Sequence, residues 1–160
     1  MGKFKDFVES PTIGCYVSCT YDESIRVSLS DWLEQYIPGA LLAEDLHTTI
    51  LYSRATISSA NQLVDQVELI GKTFKPLKLE VFDGKSDAGN PLVLIIDAPT
   101  LVTLHELLIA NGGTHDYPEY KPHVTLTHLA RTIDLSTLKI PDVSLVVTGV
   151  KIENLNLNHK

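Results

Sequence analysis

Cysteine is scarce in this chain. Its 160 residues include only Cys15 and Cys19, too few for the disulfide framework of a small secreted domain. Both lie in one apparent strand, where residues four apart are roughly 13 Å apart at about 3.3 Å per residue. That is beyond the reach of a bond between them, so both are expected as reduced thiols in or near the core of a cytoplasmic protein. Long apolar runs are missing as well. The longest, such as "LVLII" at 92–96, fall far short of the ~20 residues needed to span a bilayer. The opening "MGKFKDFVES" has no apolar signal core, and Asp6 stands where a myristoylation motif requires Ser or Thr. Basic charge is in deficit: 13 Lys and Arg face 20 Asp and Glu, for a formal net charge of −7. Nucleic-acid affinity comes mainly from Lys and Arg on phosphates, so no long nucleic acid and no membrane is expected as partner. A small nucleotide in a locally basic pocket remains compatible with this charge. Gly112-Gly113 lies outside any G-x-G-x-x-G or Walker pattern and reads as a helix stop. Zinc-ligand spacings of the C-x-x-C or H-x-x-x-H type are absent, and neither a metal nor a cofactor is expected.

What is present is a regular succession of strand-like and helix-like segments, with no low-complexity stretch or long linker. A chain of this length can bury one core, so residues 1–160 are expected to form a single domain. "GCYVSCTY" (14–21) predicts a strand from its β-branched and aromatic residues. "SLSDWLEQYI" (28–37) predicts a helix, with Leu29, Trp32, Leu33, Tyr36 and Ile37 at helical spacing and Pro38-Gly39 as its stop. "LHTTILYS" (46–53) is a second strand. "SSANQLVDQVELIG" (58–71) is a second helix with Leu63, Val64, Val67 and Ile70 as its stripe and Gly71 at its end. "LKLEVFDG" (77–84) alternates Leu77, Leu79 and Val81 with Lys78, Glu80 and Phe82, as a strand does. "KSDAGN" (85–90) reads as a turn and "PLVLIIDA" (91–98) as a buried strand. "PTLVTLHELLIANGG" (99–113) is a third helix, opened by Pro99. After the loop "THDYPEYK", "HVTLTHL" (123–129) is a strand. "DVSLVVTGVKIENLNLN" (142–158) supplies one or two closing strands with a bend at Gly149. The expected class is α+β, a sheet layer with helices on its outer faces.

A faint internal repeat runs through this order. Each half contains a strand, a helix and then a strand carrying His-x-Thr: "HTT" at His47–Thr49 and "HVT" at His123–Thr125. Strand residues i and i+2 point to the same face, so His47 shares a face with Thr49, and His123 with Thr125. If the two strands meet, two imidazoles and two hydroxyls converge. Cleaving a phosphodiester requires one proton taken from the attacking oxygen and one given to the leaving oxygen. Two histidines can divide those tasks near neutral pH, while two threonine hydroxyls hold the non-bridging oxygens. Which histidine is the base is left open, as is the choice between water and a ribose 2′-hydroxyl as nucleophile.

The two motifs, the apolar residues that follow each ("ILY" and "LTHL") and Pro122 before the second histidine resemble the paired H-x-T motifs of the 2H phosphoesterase superfamily. A single H-x-T is uninformative; two, each in the corresponding place of its half, are specific. The resemblance covers most of the chain. It implies a bilobal α+β fold in which two antiparallel sheets form a central cleft, with helices outside. It further implies a metal-independent phosphodiesterase with His47 and His123 as the acid–base pair and Thr49 and Thr125 as phosphate clamps. The superfamily includes RNA 2′,3′-cyclic phosphodiesterases, 2′,5′-oligoadenylate phosphodiesterases and phage anti-CBASS nucleases that degrade cyclic oligonucleotide signals. This short acidic chain looks most like the last group, which would place it in the host cytoplasm with a cyclic nucleotide or short oligonucleotide as ligand. The RNA-processing members often carry a basic residue soon after the second motif, whereas here Arg131 arrives late. A non-catalytic nucleotide sponge is the competing reading from another class, although it would have no need of intact proton-transfer groups.

Around the motifs, Tyr16 and Phe82 are candidates to stack on bases. Tyr120 and Lys121 precede the second motif, and Lys121 is a candidate phosphate contact. Tyr117 and Tyr120 are candidates for a lid. Glu153 is a candidate acceptor from an exocyclic amino group. The bland alternatives are a core or surface aromatic, a solvated lysine and a surface carboxylate. Thr48 and Thr127 are expected to be structural, with Thr127 on the face of His123 by alternation and His128 on the opposite face. His105 is expected as an exposed or capped helix residue. His115 sits in the loop before the second motif and is read as a loop residue rather than a ligand contact, and His159 lies in the tail.

Overall fold

The computed structural model describes residues 13–84, 89–117 and 119–156. The expected turn at 85–90 lies mostly outside them, as does His159. In chain order the elements are β1 (Ile13–Tyr21), α1 (Ser24–Tyr36), β2 (His47–Ser53), α2 (Ala60–Val67), β3 (Thr73–Val81), β4 (Asn90–Asp97), α3 (Pro99–Ala110), β5 (His123–Leu129), a 3-10 turn (Leu135–Thr137) and β6 (Leu145–Asn156). The α+β class and every element expected between residues 13 and 156 outside the turn are present.

Two antiparallel sheets were expected; the strands instead form one six-stranded sheet in the order β2-β1-β6-β3-β4-β5. Its two three-stranded halves, β2-β1-β6 and β3-β4-β5, are joined by a short ladder, Thr73 opposite Val146 and Phe74 opposite Leu145, extended by backbone bonds from Val147 to Gly71 and Lys72. A bilobal character thus survives within a continuous sheet, because the strand expected to begin at Leu77 starts four residues earlier and reaches β6. All pairings are antiparallel.

One face of the sheet is apolar. Val17, Cys19, Ile50, Leu92, Leu94, Val124, Leu126, Leu145 and Val147 are essentially inaccessible and join one core with Leu29 and Leu33 of α1 and Leu101, Leu104 and Leu108 of α3. Cys15 and Cys19 are free thiols in that core, and burial pushes the Cys19 thiol up to about 11. The helix boundaries differ from expectation for local reasons. Helix α1 begins a turn early because Asp22 Oδ1 accepts from Ser24 N at 2.9 Å, an Asx cap that satisfies an orphan amide. Helix α2 stops at Val67 because Glu68 turns left-handed (φ 53°). The chain then buries Leu69 rather than Ile70, which is 62% exposed. His105, expected at the surface of its helix, is buried.

Bulges matter more than boundaries. In β2, Val17 pairs with Leu51 and Ser18 with Thr49, leaving Ile50 as an extra residue. In β5, Leu92 pairs with Thr127 and Val93 with Thr125, leaving Leu126 extra. Each bulge falls one residue after the threonine of an H-x-T motif, and the two strands have the same burial sequence along their length. A bulge resets the alternation of a strand. Thr127 is therefore buried, donating to the Leu41 carbonyl at 2.6 Å, while His128 is exposed. The expectation from strict alternation, with Thr127 on the motif face and His128 on the opposite one, fails at this point: His128 stands opposite Pro91, on the face that Val93 and Ile95 share with Thr125 and His123. In β3 the extra residue is Leu77, which is exposed, whereas Leu79 packs on the core and Lys78 and Glu80 take the other face. The closing segment is one strand; its register shift, opposite Thr20 and Tyr21, skips Thr148, next to the expected bend at Gly149.

Candidate active site

Residues directly opposite one another in antiparallel strands share a face, so the pairings define the sheet face opposite the main core. On one half it carries His47 and Thr49 of β2, Tyr16, Ser18 and Thr20 of β1, and Gly149, Lys151 and Glu153 of β6. On the other it carries His123 and Thr125 of β5, Val93 and Ile95 of β4, and Lys78 and Glu80 of β3. Val93 and Ile95 lie outside the main core cluster, yet are 0% and 5% exposed, so this face is recessed. Although β2 and β5 end the strand order, they lie against each other. Tyr120, three residues before His123, donates its hydroxyl to the Thr49 carbonyl at 2.8 Å. The two motifs therefore converge on one site.

The two histidines are held in the same way. His47 Nδ1 lies 3.1 Å from the carbonyl of Asp45, and His123 Nδ1 lies 2.8 Å from the carbonyl of Lys121. In both cases the partner is the residue two positions earlier. A carbonyl can only accept, so each Nδ1 carries the hydrogen and each Nε2 is left for a ligand. Asp45 Oδ2 is also 3.4 Å from His47 Nδ1, ready to pair with the imidazolium. The pKa of His123 is held below the ordinary imidazole value, first by burial and then by the charge His47 carries when protonated; the Lys121 carbonyl and Glu80 oppose this in part. Phe82 sets its ring edge-on to His123, with centroids 4.8 Å apart.

The threonines differ in their support. Thr49 Oγ1 is 2.9 Å from the Tyr16 hydroxyl. Thr125 Oγ1 has no hydrogen-bond partner among the described residues. Behind the first motif, Thr48 is fully buried and bonded to the Tyr21 hydroxyl at 2.5 Å, the structural part expected of it.

The structure brings Tyr16, Phe82, Tyr120 and Lys121 beside the motifs, whereas Glu153 lies two strands away from β2. Tyr16 spends its hydroxyl on Thr49 and sets its ring against Tyr52 (6.2 Å, edge-on). Glu153 is opposite Tyr16 on β6 and exposed. Lys121 Nζ lies 3.5 Å from Glu80 Oε1, and Lys78 Nζ lies 3.2 Å from Glu80 Oε2. Burial raises the Glu80 carboxyl, but the two lysines outweigh it and leave the group below the usual carboxylate range. Tyr120 stacks on His105 at 4.2 Å and is otherwise packed on the core. His115 touches His105, Tyr117 and Tyr120 and forms the outer side of this ring cluster. Sequence reasoning missed Asp45, Glu80, Lys78 and His105. The first three carried a signal: Asp45 is two residues before a motif histidine, and Lys78 and Glu80 share the parity of Phe82 in the alternating strand. His105 carried none. No group of three or more His, Cys, Asp or Glu among the described residues is arranged to hold a metal ion.

A sheet whose end strands bring two H-x-T motifs together is the fold of the 2H phosphoesterases. E. coli LigT, solved with NADP+, superposes with a TM-score of 0.59 at 16% identity, over 89% of this chain and 87% of LigT. A structure described as a phosphoesterase gives 0.53 at 13% identity, over 87% and 86%. Within that fold the chain belongs to the family described as anti-CBASS protein Acb1, whose model matches residues 13–160. Family members bearing that name include one from Vibrio phage KVP40, 37% identical over 79% of this chain and 78% of its own length. Others come from Acinetobacter phage Ac42 (31% identical; 92% and 94%) and Enterobacteria phage T4 (31% identical; 89% and 88%).

Proposed function

We propose that this protein is a metal-independent phosphodiesterase that opens cyclic di- or oligonucleotide signals, and that it serves a phage in evading host defence. The observation that carries the reading is the matched seating of His47 and His123, each fixed through Nδ1 to a carbonyl two residues back with Nε2 free. His123 is the general base: its depressed pKa keeps it neutral, able to take the proton of the attacking water or ribose 2′-hydroxyl. His47, beside Asp45, is the acid that protonates the leaving oxygen. Thr49 and Thr125 donate to the non-bridging oxygens. Tyr16 and Phe82 flank the bases, Lys121 lies near a phosphate, and Glu153 accepts from a base amino group; Tyr120, its hydroxyl held by the Thr49 carbonyl and its ring packed on the core, supports the site from behind rather than binding the ligand. That LigT was solved with NADP+, 3′-AMP and ATP supports a small nucleotide as ligand, as does the family's anti-CBASS name. A host-cytoplasmic location fits this role.

The test is turnover of cyclic dinucleotides, cyclic trinucleotides, 2′,3′-cyclic nucleotides and 2′,5′-oligoadenylate in excess EDTA, for the natural protein and for His47→Ala and His123→Ala. Turnover of the cyclic oligonucleotides that survives EDTA and vanishes in both variants is expected. Binding without turnover of any substrate would mark a sponge. Preference for 2′,3′-cyclic or 2′,5′-linked substrates would move the assignment to RNA-end chemistry, and loss of turnover with EDTA would sink the metal-free mechanism.

A further inference from the structure

Strand β2 ends the sheet order, and among the described residues its outer edge forms no ladder with another strand. Buried or half-buried backbone groups on such an edge need partners, and here side chains supply them. The Thr49 carbonyl accepts from the Tyr120 hydroxyl at 2.8 Å. The Ile50 carbonyl, in the bulge, accepts from His105 Nδ1 at 2.8 Å. Further along, Arg54 N donates to Thr114 Oγ1 at 2.7 Å, and Thr114 N to Ser53 Oγ at 3.1 Å. Arg54 and Asp116 form a bidentate pair. Two consecutive carbonyls at the bulge are thus held by two rings that stack on each other, 4.2 Å apart and 7° from parallel.

We infer that Tyr120 and His105 are positioning residues that set the first H-x-T arm against the second. The path is continuous. Thr49 is bonded to Tyr120, Tyr120 is followed by Lys121, and the Lys121 carbonyl fixes His123 Nδ1. A shift at Tyr120 therefore moves a clamp of one motif and the imidazole of the other together. His105 keeps the Tyr120 ring in place by stacking and holds the bulge that aims Thr49. Burial, with a smaller contribution from His115, keeps His105 below the ordinary imidazole value and hence neutral. Its Nδ1–H is the donor, since a carbonyl offers no hydrogen. Neither residue need touch the reacting phosphate for this role.

The inference rests on the proposed phosphodiesterase activity for its kinetic test, and carries a second readout that does not. Tyr120→Phe keeps the ring and removes the donor. His105→Asn keeps an N–H near the place of Nδ1, whereas His105→Leu fills similar space without one. Misplacing a reacting group by about 1 Å costs about 100-fold in rate, so kcat on the best cyclic oligonucleotide should fall 10- to 100-fold in Tyr120→Phe and His105→Leu, with KM within about twofold. His105→Asn should recover most of the loss. Amide hydrogen exchange at 48–51 should quicken by about tenfold in the two defective variants, as a locally loosened strand edge would, and not in His105→Asn. Unchanged kcat with unchanged exchange, a change confined to KM, or equal behaviour of the Asn and Leu variants would overturn the inference. If the natural protein turned over none of the substrates, the proposed function would fail and the exchange pattern alone would decide the positioning role.

Discussion

The Tyr16 hydroxyl stands 2.9 Å from Thr49 Oγ1, whereas Thr125 Oγ1 has no such partner among the described residues. The two motif threonines are therefore not equivalent. A tyrosine on β1 orients the first hydroxyl, while the second is free to turn toward a ligand. A neutral hydrogen bond of this kind contributes about 1 kcal/mol. Tyr16→Phe should lower kcat/KM by about three- to tenfold, in line with that energy, and Tyr16→Ala should add a rise in KM from the lost ring. Equal kinetics for Tyr16→Phe and the natural protein would show that Thr49 orients itself.

The proposed role of His123 as general base sets a pH profile. The pKa of His123 lies below the ordinary ~6.5 of an imidazole. A general base acts when neutral, so kcat/KM should rise with pH along an acid limb centred below that value and reach its plateau once His123 has lost its proton. Glu80 favours the charged form of His123. Glu80→Gln should therefore move the acid limb to still lower pH. An acid limb that stays put or moves upward in Glu80→Gln would assign the limb to another group.

The buried hydroxyls beneath the first motif make a stability prediction. Tyr21 and Thr48 are bonded at 2.5 Å, and Cys19 Sγ donates to Tyr21 at 3.6 Å. Removing the Tyr21 hydroxyl leaves Thr48 buried without its partner, at a cost of about 1–3 kcal/mol. Urea unfolding of Tyr21→Phe should show that loss. A double variant with Thr48→Val, in which neither hydroxyl remains, should recover part of it.

Leu104 is fully buried where α3 meets the sheet, one residue before the positioning histidine. Leu104→Ala should cost about 2–5 kcal/mol from lost transfer energy and the cavity left behind, read from denaturant midpoints. His105 also moves with α3, so activity in this variant should fall below what its folded fraction accounts for.

Much of the site could be read before any fold was known. His47 with Thr49, and His123 with Thr125, are pairs whose common face depends only on the two-residue period of a strand, and both strands begin at the motif histidine. The bulges at Ile50 and Leu126 could not be read, because an extra residue exists only relative to the strand it pairs with. They broke the alternation that placed Thr127 with His123. His105 was misplaced for a related reason: its helix is apolar almost all round, with Leu104, Leu107 and Leu108 beside it. Nothing local says that an imidazole on that helix meets the backbone of β2.

The amino-acid sequence by itself determined the order of elements, the two His-x-Thr pairs and the absence of membrane-length apolar runs, because each depends on spacing within a few residues. Only the tertiary structure decided that β2 and β5 lie together, that Lys78 and Lys121 share Glu80, and that Tyr120 and His105 hold the edge of the first motif. Apart from the local Lys78–Glu80 pair, those relations join residues far apart in the chain through hydrogen bonds and an ion pair only a few ångströms long. Chain folding brings such groups together, and no local period encodes their meeting.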